Sequence, residues 1–199
     1  MEFIRAIADV NRHDVALVGG KAANLGELVK AKLPVPPGFV LLTSAYRAFV
    51  EANTLSEEIE RLAQQASCQS SRRLEEASCA IRSIFERSAM PDEIAQAILG
   101  AYRELGGDAV AVRSSATAED LPAASFAGQQ ETYLNVQGEG ALLEAVKRSW
   151  ASLWTARALA YRTHRGISPQ SVGLAVIVQQ MVPADVSGIL FTVNPLTGA

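Results

Sequence analysis

The sequence predicts a mixed α/β (α+β) fold with helices mainly in its N-terminal part and antiparallel strands mainly in its C-terminal part. Apolar residues recur at helical spacing through most of positions 22–104, whereas short β-prone runs bounded by Gly and Pro cluster after position 108. With 49% hydrophobic and 20% charged residues over 199 positions, the chain has ample material for a core.

The elements follow in order. Ala22, Leu25, Leu28 and Val29 mark a helix that starts directly after Gly19-Gly20-Lys21 and runs to Lys32. The prolines of Leu33-Pro-Val-Pro-Pro-Gly38 end it, because each removes a backbone donor and fixes φ. A short strand over 39–42 follows, then a helix to about Ala52 with Thr43 or Ser44 as its cap. Ser56 to Gln65 and Arg72 to Arg87 read as amphipathic helices. Pro91 suits the first turn of another, which Gly106-Gly107 ends.

Beyond that glycine pair the composition shifts, so the chain divides into a part at 1–107 and a strand-rich part at 108–199. Ala109 to Arg113 reads as a strand with Arg113 at its end, and Glu131 to Val136 as another. Leu143, Val146, Trp150, Leu153, Trp154 and Ala158 form one stripe, predicting a single long helix from Gly140 to about Arg162. Val172 to Val182 and Ser187 to Val193 read as a closing antiparallel hairpin joined by Pro183-Ala-Asp185.

Bulk properties exclude several classes. Eighteen Lys and Arg against 21 Asp and Glu leave a net charge of −3, which argues against a broad nucleic-acid surface. Cys68 and Cys79 have no partners at zinc-site spacing and read as reduced thiols of a cytoplasmic protein. The N-terminus has no signal-peptide pattern, and the most apolar run, Val172 to Val182, is too short to span a bilayer and holds two glutamines.

Two stretches have the chemistry of phosphate binding. Val18-Gly-Gly-Lys-Ala-Ala-Asn-Leu-Gly26 couples a glycine turn, a helix start and a lysine, where free amides and a full charge favour an anion. It is not a P-loop, since Val15 stands where that motif needs its first glycine and Ala22 where it needs Ser or Thr. Alone, the pattern reads more simply as a turn with a solvated lysine. Val112-Arg-Ser-Ser-Ala-Thr-Ala-Glu-Asp120 is more telling: an arginine at a strand end can clamp phosphate oxygens through two parallel bonds. Ser114, Ser115 and Thr117 add hydroxyl donors, and Ala123 to Gly128 is a run of small residues. An Arg113 salt bridge to Glu119 or Asp120 in an ordinary polar loop is the alternative.

Together these residues resemble the N-terminal nucleotide-binding domain of the phosphoenolpyruvate synthase and pyruvate phosphate dikinase family. Two further stretches join them: Ser152-Leu-Trp-Thr-Ala-Arg-Ala-Leu-Ala-Tyr-Arg162, and Val178-Gln-Gln-Met-Val182 with Ser187-Gly-Ile-Leu-Phe-Thr-Val-Asn-Pro195. Rifampin phosphotransferase carries very similar stretches. The resemblance implies the first lobe of an ATP-grasp domain, with ATP held between two lobes. By position, Lys21 and Arg113 match the family's phosphate contacts. Ser125, Phe126, Ala127 and Gly128 match the loop closing over the phosphates, with Thr132 starting the strand behind it. Gln179, Gln180, Met181 and Val182 match the linker whose backbone meets the adenine edge.

The resemblance further implies ATP with Mg2+ as cofactors, and a phosphoryl group passed through an enzyme histidine to pyruvate. The alternatives are an antibiotic acceptor or a stand-alone, non-catalytic nucleotide-binding module. The chain reaches Gly198-Ala199 before the second lobe, which would supply the magnesium ligands, and before the phosphohistidine and acceptor domains that would be its partners. These 199 residues alone are expected to be inactive, with neither His13 nor His164 in a matching catalytic context.

Overall fold

The computed structural model describes residues 2–65, 70–116, 132–165, 167–168, 172–189 and 193–194. The predicted loop from Ser125 to Gly128 lies outside them, as do Thr117, Glu119, Asp120 and most of 190–199.

Five strands form one antiparallel sheet. They are β1 (Ile4–Ala6), β2 (Gly38–Leu41), β3 (Val110–Ala116), β4 (Thr132–Val136) and β5 (Leu174–Gln180), in spatial order β1-β2-β5-β3-β4. The sheet draws β1 and β2 from before Gly106-Gly107 and the other three from after it. The helices are α1 (Val15–Lys30), α2 (Thr43–Ala52), α3 (Ser56–Gln65), α4 (Ser71–Arg87), α5 (Asp92–Glu104), α6 (Glu139–Ala151) and α7 (Ala156–Arg165).

The central place of β5 explains its unbroken apolar sequence. Leu174, Val176 and Val178 join Phe39, Leu41, Val110 and Val112 in a large core built with α2, α4 and α6. Ala175 and Ile177 point the other way, into a smaller core with Val10, Val18, Ala22 and Ala23 under α1. A strand covered on both faces loses the polar alternation of a half-exposed one.

The expected hairpin partner of β5 is not a strand among the described residues. Ser187, Gly188 and Ile189 are irregular and exposed, and β5 instead pairs with β2 and β3, distant in sequence. Strand β1, which has no periodicity of its own, is an addition to the predicted set; it pairs Ile4 with Leu41.

The long helix predicted over 140–162 is two helices. Between α6 and α7 a tighter turn spans Ser152–Trp154, and Thr155 is extended (φ −62°, ψ 152°). Thr155 Oγ1 then accepts from Ala158 N at 3.3 Å, capping α7. The break is held from outside: Trp154 Nε1 donates to Tyr46 Oη at 3.2 Å, and Arg162 donates to Leu153 O at 2.5 Å while stacking 4.6 Å from the Trp154 ring centre. Burial pushes the Arg162 guanidinium down to about 10. Trp150 packs on Phe49 with ring centres 5.0 Å apart, so the predicted stripe does face the core across the break.

Smaller differences have equally local causes. Thr43 and Ser44 do not cap α2; their hydroxyls donate to Ala16 O (3.3 Å) and Glu2 O (2.7 Å), tying the helix to neighbouring segments. Pro91 is the residue before α5 rather than in its first turn.

Candidate functional site

The glycine–lysine stretch sits inside α1, where the helix is broken. Gly19 has φ 74° and ψ 164°, a conformation essentially reserved for glycine, so α1 consists of a short leading turn and a second helix starting at Gly20. The sequence placed that start correctly to within two residues but missed the helical turn before it. Lys21 lies in the first turn of the second helix.

That turn rests against β3. Lys21 Nζ donates to Ser114 O at 3.4 Å, and Ala22 N donates to Ser115 Oγ at 3.2 Å. A Cβ on Gly19 would lie 2.3 Å from Ser115 O, so the absent side chain is what lets helix and strand approach.

Arg113 is not at a strand end. It lies mid-strand in β3, opposite Ile177 on one side and Thr132 on the other. Directly opposed residues share a sheet face. Ile177 belongs to the core under α1, so Arg113, Ser115 and Thr132 face α1 and its lysine. Arg113 is half-buried and Thr132 exposed. Among the described residues no carboxylate forms an ion pair with Arg113. The structure thus brings Lys21, Arg113 and Thr132 to one region.

Ser115 departs from its expected part. It is fully buried, and its hydroxyl accepts from the α1 backbone instead of facing a ligand.

The four residues expected at the adenine edge lie at the end of β5. Gln179 is opposite Ala111, two residues from Arg113 on the same face. Its side chain is buried and donates from Nε2 to Pro36 O at 2.9 Å, which meets the need of a buried amide for a partner. Gln180 N donates to Pro37 O at 2.9 Å and Met181 N to Ala109 O at 3.1 Å. Val182 is exposed. Two of the backbone donors in this linker are therefore committed within the protein.

No group of three or more His, Cys, Asp or Glu side chains gathers among the described residues. His13 lies in a single tight turn, Arg12–Asp14, and His164 in the last turn of α7; both are exposed. No helix among the described residues is long and apolar enough to cross a membrane.

Fold and placements define an α/β domain with a lysine-bearing helix start and an arginine gathered over one face of an antiparallel sheet. Residues 15–199 match the family described as "Pyruvate phosphate dikinase, AMP/ATP-binding domain", and the chain belongs to that family. Among similar proteins, a phosphoenolpyruvate synthase of Aeropyrum pernix is 50% identical over 197 residues, covering 96% of this chain and 24% of that protein. A probable phosphoenolpyruvate synthase of Archaeoglobus fulgidus is 48% identical, covering 96% of this chain and 26% of its own. A phosphoenolpyruvate synthase of Pyrococcus furiosus is 44% identical, with 98% and 28% covered. The chain spans about a quarter of the length of these curated relatives.

Proposed function

We propose that this chain is the ATP-binding part of a phosphotransferase, forming the first lobe of an ATP-grasp site. The phosphoryl group taken from ATP would pass to an enzyme histidine outside this chain and then to pyruvate, making phosphoenolpyruvate. The observation that carries this reading is the contact of Lys21 Nζ with Ser114 O, which anchors an ammonium on β3, the strand that carries Arg113 on its α1 face. Relatives named as phosphoenolpyruvate synthases favour pyruvate over an antibiotic acceptor.

In this reading the residues position and neutralise. Little covalent chemistry falls to the protein in phosphoryl transfer, and fixed cations offset the charge on the transferring group. Lys21 acts as a point charge at a helix start, Arg113 as a planar two-pronged donor. With the amides of Gln180 and Met181 committed, adenine recognition from this linker falls to its carbonyls and to Val182. Magnesium, when bound with ATP, supplies further charge neutralisation; no residue described here is assigned to hold it. A cytosolic setting suits ATP and pyruvate as substrates and the free, exposed thiol of Cys79.

The test is ATP affinity of Lys21→Ala and Arg113→Ala in the full-length protein. Each charge-assisted bond lost should weaken binding about ten- to a hundredfold. Two folded variants with unchanged ATP affinity and unchanged phosphoenolpyruvate formation would remove the basis of the proposal.

A further inference from the structure

The second helix of α1 begins without a cap of its own. A helix start leaves backbone donors in need of acceptors, and the residue in the capping place usually supplies one from its side chain. Here that residue is Gly19, which has none. The acceptor comes instead from the sheet: Ser115 Oγ, 93 positions away in sequence, takes the Ala22 N–H at 3.2 Å. One residue earlier on each element, Lys21 Nζ reaches Ser114 O. Two successive residues of β3 thus grip two successive residues of α1, and Ser115 is fully buried between them.

We propose that Ser115 is a positioning residue for Lys21: by capping the helix from the strand, it fixes where the lysine ammonium stands relative to Arg113. The inference rests on the phosphate-binding reading and deepens it. Ser115 touches no ligand in this scheme; it acts through the backbone of Ala22. Small displacements of a charged group cost binding steeply, because phosphate recognition depends on sub-ångström placement of its donors.

The experiment is a double-mutant cycle in the full-length protein, with ATP and phosphate-free adenosine titrated calorimetrically into wild type, Ser115→Ala, Lys21→Ala and the double variant. Ser115→Ala should weaken ATP about three- to tenfold, the range of one neutral hydrogen bond, and leave adenosine unchanged. On the Lys21→Ala background the same change should have less than about a twofold effect on ATP, since coupled residues are non-additive. A loss of ATP affinity that persists undiminished without Lys21, or equal losses for ATP and adenosine, would make Ser115 merely structural and overturn the inference. So would wild-type ATP affinity in Ser115→Ala while Lys21→Ala is impaired. Lys21→Ala with normal ATP affinity would instead bring down the phosphate reading, and this inference with it. Should Ser115→Ala fail to fold, Ser115→Cys keeps the volume with a far weaker acceptor and runs through the same cycle.

Discussion

Replacing Gly19 with alanine tests the junction of α1 with β3 directly. Two costs can be worked from the structure. The backbone at φ 74° and ψ 164° is one that residues with a Cβ adopt only under strain, of about 1–3 kcal/mol. The new methyl would also stand 2.3 Å from Ser115 O and 2.4 Å from its Oγ. Ordinary contact requires about 1 Å more separation, so helix and strand must part. Parting them stretches the Ala22–Ser115 bond, at a further cost of about 1–2 kcal/mol. The sum is about 2–5 kcal/mol, expected to lower Tm by roughly 5–15 °C. Thermal and urea unfolding, followed by circular dichroism, measure it.

Gly100→Ala is the internal control. Gly100 lies within α5 with nothing within 4 Å of an added Cβ, so alanine there should stabilise by about 0.5–1 kcal/mol. The two substitutions are chemically identical and should shift Tm in opposite directions. A Gly19→Ala protein as stable as wild type, with unchanged ATP affinity, would refute the reasoning about this junction.

Three other outcomes are expected. Trp150→Ala, which empties a fully buried site against Phe49, should cost about 3–5 kcal/mol in urea unfolding. Arg162→Ala removes the bond to Leu153 O and the stacking on Trp154, and should cost about 2–4 kcal/mol with a change in tryptophan emission; unaltered emission and stability would show the α6–α7 break is held by other contacts. The Arg12 N–H donated at 3.0 Å holds the Glu27 carboxyl below its ordinary 4.5, so its contribution is present above that value and lost as pH falls through the lower folded value. Glu27→Gln should therefore flatten the acid-induced loss of stability that sets in as pH falls below that ordinary value, read from Tm against pH.

The sequence by itself determined features whose physics is local. Ser56 to Gln65 is helical throughout, as predicted, because an amphipathic stripe bounded by polar residues needs no distant partner to be recognised. The proline-rich break after α1 and the glycine pair after α5 were legible because those residues act on their own φ, ψ and donors. Family membership was legible too, in four stretches whose order survives without any knowledge of their contacts. Tertiary structure decided what depends on pairing across the chain. Nothing near β5 in sequence says that its neighbours are β2 and β3, so its apolar run suggested a local hairpin that the described residues do not form. The stripe from Leu143 to Ala158 keeps its face through the break at 152–155, so periodicity alone could not reveal a turn fixed by Tyr46 and Arg162. Arg113 looked like a strand end because small residues follow it, yet Ser114 to Ala116 remain in the ladder opposite β5. Ser115 shows the limit most sharply: its hydroxyl could serve a phosphate or a helix, and only the approach of Gly19 to β3, which the missing Cβ permits, turns it toward the Ala22 amide.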